Sequence, residues 1–249
     1  MSSPRDWDAV TYDRVADPMT RWGGTVLERL PLGGDETVLD AGCGSGRVTE
    51  LLARALPAGR VIALDGSAAM LDEARARLAP FGDRIEFVQA DLRRPLPLDG
   101  PVDAVFSTAT FHWLPDHGAL FRNLAAVLRP GGRLVAQCGG AGNIASVQAV
   151  LATLGDGWLG PWTFATPADT AARLATAGFD EIVTWLQPEP TVLEPGAPFE
   201  AFLRTVILGD HLERLPESER APFVRAVAAG LTAAVIDYVR LNIDARRAA

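Results

Sequence analysis

The stretch Val38-Leu39-Asp40-Ala41-Gly42-Cys43-Gly44-Ser45-Gly46 decides the fold of this 249-residue chain. A short apolar run leads into three glycines at alternate positions, and a helical pattern follows. Side chains at these glycines would keep a nucleotide-like ligand away from the turn and from the helix N-terminus, so the pattern predicts a strand, a binding turn and a helix. A tight strand-to-helix turn also needs glycine for its conformation, and the stretch alone leaves that explanation open.

Around this turn, strand-like apolar runs alternate with helical patterns. Five strands are predicted, at 37–40, 60–65, 84–88, 102–107 and 133–138. Three helices between them each show one apolar face. These faces are formed by Val48, Leu51, Leu52 and Ala55, by Met70, Leu71, Ala74 and Leu78, and by Leu120, Phe121, Leu124, Val127 and Leu128. Such alternation predicts right-handed crossovers and a mostly parallel, doubly wound α/β sheet.

The last third of the chain departs from this alternation. Residues 181–186 predict a sixth strand, and four prolines between Pro188 and Pro198 predict a rigid exit from it. Residues 199–230 have helical patterns only. Residues 239–246 alternate apolar and polar side chains, which predicts a seventh, antiparallel strand with two unlike faces. The helical segment must then leave the sheet and return, and we interpret it as a lid.

These patterns predict a single domain over residues 1–249. We divide it into N-terminal helices that cover the site (1–34), an α/β core (35–187), a helical lid (188–234) and a terminal strand (235–249).

Composition bounds the class of protein. A net charge of −8 argues against a general nucleic-acid binder, and two cysteines, Cys43 and Cys138, make no disulfide framework. The N-terminus lacks the apolar core of a signal peptide, and no 18 apolar residues run together, so we expect a cytoplasmic protein without a membrane partner. Three scattered histidines and no clustered cysteines predict no metal site.

Two further acids follow predicted strands. Asp65 ends the second strand, 23 residues after Gly42, where a carboxylate can accept both hydroxyls of a ribose. Asp91, in Ala90-Asp91-Leu92, follows the third strand, where it can accept an adenine amino group. Taken alone, Asp65 could be a helix cap and Asp91 part of a solvated turn. Because the carboxyl ends of parallel strands share one edge, both acids should lie beside the glycine turn.

Two nucleotide cofactors suit such an edge. Nicotinamide enzymes prefer G-x-G-x-x-G, whereas this chain has G-x-G-x-G with Asp40 two positions before the first glycine. The motifs at Asp40–Gly46, Asp65, Ala90–Leu92 and Leu128-Arg-Pro-Gly-Gly-Arg-Leu resemble those of class I S-adenosylmethionine-dependent methyltransferases, which have a Rossmann-like fold. Phe111-His112-Trp113-Leu114-Pro115-Asp116-His117 is similar to a loop of the trans-aconitate methyltransferase-like group, although that group tends to have Gln at His112, Pro at Ser45 and Asn at Arg47.

The resemblance implies roles for individual residues and makes S-adenosyl-L-methionine the cofactor, released as S-adenosyl-L-homocysteine. Asp40, Gly42, Gly44 and Gly46 would line its methionine part. Its ribose and adenine would meet Asp65, Gly66, Met70, Asp91 and Leu92, with Thr108 near the methyl group. Tyr12 and Trp22 would close over it, or would simply pack an amphipathic helix on the sheet.

The resemblance also implies a small-molecule acceptor near Phe111, His112 and Trp113. We expect the chain to be a monomer or homodimer. If the acceptor is anionic, Arg204, Arg214 or Arg240 could bind its carboxylates. An ionised carboxylate needs no base, whereas a hydroxyl or amine would make His112 the candidate base; His112 could equally be a wall residue. His117, expected on an exposed helix, and His211 are weaker candidates.

Several functions therefore stay open from the sequence. O-methylation of a carboxylate, as on a trans-aconitate-like acid, is our first hypothesis. The alternatives are a tailoring methyltransferase acting on a hydroxyl, amine or carbon of a secondary metabolite, a nicotinamide-dependent oxidoreductase, and a non-catalytic protein that binds the cofactor.

Overall fold

The computed structural model describes residues 17–249, with side chains from residue 21 onward. Seven strands form one sheet in the order β3-β2-β1-β4-β5-β9-β6, and β7 and β8 form a separate pair. The strands are β1 (Thr37–Ala41), β2 (Arg60–Asp65), β3 (Ile85–Gln89), β4 (Val102–Thr108), β5 (Leu128–Gly139), β6 (Phe179–Pro188), β7 (Thr191–Val192), β8 (Val235–Ile236) and β9 (Val239–Arg247).

The helices lie on both faces of the sheet and beyond its end. They are α1 (Asp17–Leu27), α2 (Arg47–Ala55), α3 (Ala68–Leu78), α4 (His117–Val127), α5 (Ala145–Leu151), α6 (Pro167–Thr176), α7 (Ala197–Phe202), α8 (Gly209–Glu213) and α9 (Glu217–Gly230). Two 3-10 turns (Ala79–Arg84 and Phe111–Trp113) and a π turn (Leu203–Ile207) complete them. Asp116 caps α4 by accepting the N–H of Ala119, and Thr166 caps α6 in the same way through Asp169.

The strand pairings confirm the predicted fold class. Strands β1 to β5 pair in parallel, while β9 lies between β5 and β6 and is antiparallel to both. Leu39 of β1 packs with α4 on one face, and Val38 packs with α2 and α3 on the other, as a strand's alternation of side chains requires.

A third apolar cluster lies beyond the sheet. It joins α7, the π turn, α8 and α9 to α5 and to Trp22 of α1. The chain enters this helical segment through β7 and leaves it through β8, and those two strands pair with each other.

One predicted helix face was wrong. The buried residues of α2 are Thr49, Leu52 and Ala53, while Ala55 is exposed, and Thr49 turns inward to donate a hydrogen bond to Asp40. Strand β9 has the two unlike faces predicted, and its polar face is buried at Arg240 and Asn242. There Asn242 accepts hydrogen bonds from Gln137 and Arg29, so partners on β5 and near α1 compensate the burial.

Candidate functional site

The carboxyl ends of strands β1 to β4 open into a cavity of about 440 Å³. This is the edge at which open α/β sheets bind ligands. The strand ends form one half. His112 and Trp113 of the loop after β4, together with residues from the loop after α5, the π turn, α8 and β9, form the other.

The glycine turn forms the floor of the first half. The backbone N–H groups of Gly42 and Cys43 both donate to the carbonyl of Leu64, at 2.8 and 3.0 Å, so the turn is fastened to β2. A Cβ on Gly42 would collide with the side chain of Thr110, whereas one on Gly44 would meet no protein atom within 4 Å. Gly46 does not line the cavity, because it packs against Ala74 and Leu78 of α3.

Asp40 lies behind this turn and is almost fully buried. Its Oδ2 accepts the hydroxyl of Thr49 at 2.7 Å. Burial raises the pKa of Asp40 to about 7, although the hydrogen bond from Thr49 opposes that rise. The carboxyl group can therefore gain or lose a proton near neutral pH.

Asp65 ends β2 and braces the same turn. One carboxylate oxygen accepts the N–H of Gly44 at 2.9 Å, and the other accepts the N–H of Ser67 at 2.9 Å. Burial raises the pKa of Asp65, and these two backbone donors limit the rise. Ser67, not Asp65, caps α3 by accepting the N–H of Met70, so the cap explanation for Asp65 is wrong.

Asp91 follows β3 and is paired with a neighbour. Its carboxylate accepts the Nε–H of Arg93 at 2.9 and 3.0 Å and lies 2.8 Å from the terminal nitrogen of that side chain. The hydrogen bond from Arg93 lowers the pKa of Asp91. Asp91 therefore enters the site as an ionised, oriented carboxylate.

His112 lies in the 3-10 turn after β4 and lines the cavity. Its Nδ1 accepts the backbone N–H of Gly139 at 3.3 Å. Burial, followed by the positive charge of Arg240, lowers the pKa of His112 well below its ordinary value. The ring is therefore neutral, and because Nδ1 accepts a hydrogen bond, its one proton is on Nε2.

Arg240 of β9 brings a buried positive charge to the second half of the cavity; the residue is only 3% exposed. Its guanidinium carbon lies 4.8 Å from the ring centroid of Trp22, and its Nε donates to Gln137 at 3.5 Å. A guanidinium in such a position is suited to an anionic ligand.

Aromatic rings cover the wall beside His112. Its ring stacks on Phe164 with centroids 6.0 Å apart, and Phe164 stacks on Trp162 at 5.8 Å. Trp113 contacts both His112 and Trp162, at 5.2 and 6.0 Å. The backbone N–H of Thr163 donates to the carbonyl of His112 at 2.8 Å and joins the two segments that form this wall.

The cavity gathers most of the residues singled out in the sequence. Those that line it are Asp40, Gly42, Gly44, Asp65, Gly66, Met70, Asp91, Leu92, Thr108, His112, Trp113 and Arg240.

Several others do not line it. Phe111 is buried in the core against Phe121, at 6.0 Å between ring centroids, and Arg204 is exposed outside the cavity. Trp22 lies beneath Arg240, outside the lining. Tyr12 lies outside the described residues. Arg214 pairs with Asp156 at 2.7 Å, outside the cavity lining.

The remaining histidines occupy structural positions. His117 is buried, contrary to expectation, because its Nε2 bonds to the carbonyl of Phe111 at 2.9 Å. His211 is also buried, and its Nε2 bonds to the carbonyl of Trp158 at 3.0 Å. Within residues 17–249 no group of three or more candidate ligands is placed to hold a metal ion.

Sequence reasoning missed part of the lining. Asn143 and Ile144 follow the glycines at the end of β5, and that glycine-rich turn could have identified them. Asp210 and Glu213 of α8 and Tyr238 beside β9 carry no comparable sequence signal.

In the described part of the chain, no helix is both long and apolar enough to cross a membrane.

Comparison with known proteins finds methyltransferases. A family model described as a methyltransferase domain matches residues 38–132. The chain is 34% identical to trans-aconitate 2-methyltransferase of Azoarcus sp. strain BH72, over 92% of this chain and 90% of that protein. It is 33% identical to trans-aconitate 2-methyltransferase of Paracidovorax citrulli strain AAC00-1, over 98% of this chain and 99% of that protein.

A solved structure shares the fold at lower identity. Phosphoethanolamine N-methyltransferase 2 of Haemonchus contortus, in complex with phosphomonomethylethanolamine and S-adenosylhomocysteine, matches with a TM-score of 0.65 and 17% identity. The match covers 96% of this chain and 56% of that one. At this identity the likeness concerns the fold alone.

Proposed function

Because the chain belongs to the trans-aconitate 2-methyltransferase family, and is thus an S-adenosylmethionine-dependent enzyme, we propose that it methylates a carboxylate oxygen of a small organic acid. One observation carries the choice of acceptor. The buried guanidinium of Arg240 lies in the half of the cavity away from the glycine turn, where a carboxylate would be held.

Two observations support cofactor binding in the other half. A Cβ on Gly44 would point into open space, so the turn leaves room for a ligand against its backbone. The carboxylate of Asp65 faces the same cavity and can accept ribose hydroxyls. The residues proposed to hold the cofactor are Asp40, Gly42, Gly44, Asp65, Gly66, Met70, Asp91, Leu92 and Thr108.

The residues have little chemistry to perform. When bound, S-adenosylmethionine supplies an electrophilic methyl group and is released as S-adenosylhomocysteine. An ionised carboxylate needs no proton removed, so the protein's task is to orient it and exclude water. Arg240 would bind one edge of the carboxylate, and the Nε2–H group of His112 would donate a hydrogen bond to the same carboxylate. This assigns His112 as a hydrogen-bond donor and argues against its role as a base.

The lid, the cellular compartment and the oligomeric state are further proposals. We propose that residues 188–234 act as a lid, and that the enzyme works in the cytoplasm as a monomer or homodimer without a nucleic-acid partner. The helical segment supports the lid, because the π turn and α8 supply the lining residues Val206, Ile207, Asp210 and Glu213. The net charge of −8 supports the absence of nucleic acid.

Methyl-labelled cofactor tests the proposal. The enzyme is incubated with small acids, trans-aconitate included, and with phenols and amines, and the labelled product is treated with mild base. We expect label on an acid that is released as methanol, because methyl esters hydrolyse in base. Base-stable label on a phenol or amine would overturn the carboxylate assignment. Arg240→Gln should reduce transfer to the acid, while Arg204→Gln, on the exposed surface, should leave it unchanged.

A further inference from the structure

The part of the cavity around Arg240 has a composition that constrains the acceptor further. We call this part the acceptor chamber and define it by His112, Trp113, Trp162, Phe164 and Arg240. Four of these five residues present rings, and one is a cation. The same half of the cavity also carries two acids of α8, Asp210 and Glu213, which would repel any additional carboxylates of an acceptor. This inference rests on the proposed function, since it takes the acceptor to be a carboxylate held by Arg240.

The four rings form one group of mutual contacts. Trp162 and Phe164 are nearly parallel, at 11°, and Phe164 and His112 lie at 27°. The position of Phe164 depends on a glycine in β5. A Cβ at Gly139 would lie 2.8 Å from the ring of Phe164, so glycine at this position lets the ring lie against β5. Stacked, fixed rings of this kind bind a flat apolar group through its face.

The acceptor chamber has fewer cationic side chains than rings. Of the described residues that line the cavity, Arg47, Arg93 and Arg240 are the cations. Arg93 is paired with Asp91 beside β3, and Arg47 opens α2 after the glycine turn, so both belong to the cofactor half. Among these residues, Arg240 is the one guanidinium in the acceptor chamber. It can hold one carboxylate, whereas a tricarboxylate would bring two more charges against an aromatic wall.

We propose that this enzyme's acceptor is an aromatic or arylalkenyl monocarboxylate, with its carboxylate on Arg240 and its planar body stacked on the ring wall. Such an acid satisfies both features of the chamber at once. It differs from the tricarboxylate that gives the family relatives their name.

Binding to the enzyme saturated with S-adenosylhomocysteine tests this class directly. Calorimetric titration compares (E)-cinnamate, 3-cyclohexylpropanoate and trans-aconitate. We expect cinnamate to bind at least 10-fold more tightly than trans-aconitate and several-fold more tightly than the non-planar acid. Equal or tighter binding of trans-aconitate would overturn the inference and leave the proposed function standing. Binding of none of the acids would overturn both.

Two tryptophans of one loop provide matched variants. Trp162 lines the chamber, whereas Trp158 packs on His211 outside it, with centroids 4.6 Å apart. Trp162→Leu should weaken cinnamate binding about 10-fold and leave trans-aconitate binding unchanged, and Trp158→Leu should change neither. Phe164→Leu is the second chamber variant, should Trp162→Leu fail to fold. If a folded chamber variant still preferred cinnamate over trans-aconitate to the same degree, that result would contradict stacking of the acceptor on these rings.

Discussion

The Nδ1 atom of His112 accepts the backbone N–H of Gly139 at 3.3 Å, and this one contact fixes which ring nitrogen carries the proton. We predict that His112→Gln, which retains a side-chain N–H donor, keeps kcat/KM within about threefold, while His112→Ala loses about tenfold, the usual cost of a missing hydrogen bond. Initial rates at pH 6 to 9 measure both.

A general base would behave differently. Both variants would then fall together by about 10²-fold or more, and the wild-type rate would decline as the base is protonated. The affinity for S-adenosylhomocysteine serves as the control and should be the same in all three proteins, since the cofactor half is unchanged.

Two glycines of the turn separate folding from binding. Gly42 and Gly44 have φ values of +88° and +54°, so alanine is strained at both. At Gly42 the new Cβ also collides with Thr110, whereas at Gly44 it projects into the cavity. Gly42→Ala should therefore lose an additional ~1–3 kcal/mol of stability through overpacking. Gly44→Ala should instead weaken cofactor binding at least tenfold. Thermal melts and calorimetry distinguish the two variants. Equal effects of both variants in both assays would contradict the open space beside the backbone of Gly44.

Asp65 joins the turn to the ribose position. Asp65→Asn should weaken S-adenosylhomocysteine binding about tenfold or more, because the amide keeps one acceptor oxygen but loses the charge that Gly44 N–H and a ribose hydroxyl share. Asp72→Asn is the matched control, since Asp72 is exposed on α3 and pairs only locally, with Arg75 at 2.7 Å. Unchanged affinity in Asp65→Asn by calorimetry would remove Asp65 from the cofactor site.

Asp40 makes stability depend on pH. Its folded-state pKa is about 7 and its ordinary value is 3.8, so between these values the folded protein holds a proton that the unfolded chain has lost. The contribution of Asp40 is complete below pH 3.8 and is lost as pH rises through 7. Relative to wild type, Asp40→Asn should therefore gain about 3 kcal/mol in unfolding free energy between pH 5 and pH 8. Denaturant unfolding at both pH values measures this, and a constant difference would contradict the assignment.

The features predicted well from the sequence depend on local patterns. The glycine turn and the alternation in β9 each lie within ten residues, and each is found where expected. The mostly parallel sheet follows from the alternation of strands and helices, because right-handed crossovers leave few arrangements.

The features predicted poorly depend on distant partners. In the loop after β4, a 3-10 turn sends Phe111 into the core and leaves the adjacent His112 and Trp113 on the cavity, a separation that spacing alone does not reveal. Arg204 and Arg240 are equivalent as residue types. Only the pairing of β9 with β5 places Arg240 opposite Gly139 and next to Gln137.

That pairing predicts a positioning role for Gln137. Its Oε1 accepts from Arg240 at 3.5 Å, and its amide N–H donates to Asn242 at 2.9 Å, so the amide is oriented with its acceptor toward the guanidinium. Gln137→Met should raise KM for the acid about three- to tenfold, because it removes one hydrogen bond that orients Arg240. The values of kcat and cofactor affinity should be unchanged. Gln187→Met is the control, because Gln187 accepts from the same Asn242 at 3.3 Å, on the β6 side. An equal rise in KM in both variants would mean that the network supports the sheet as a whole and does not specifically position Arg240.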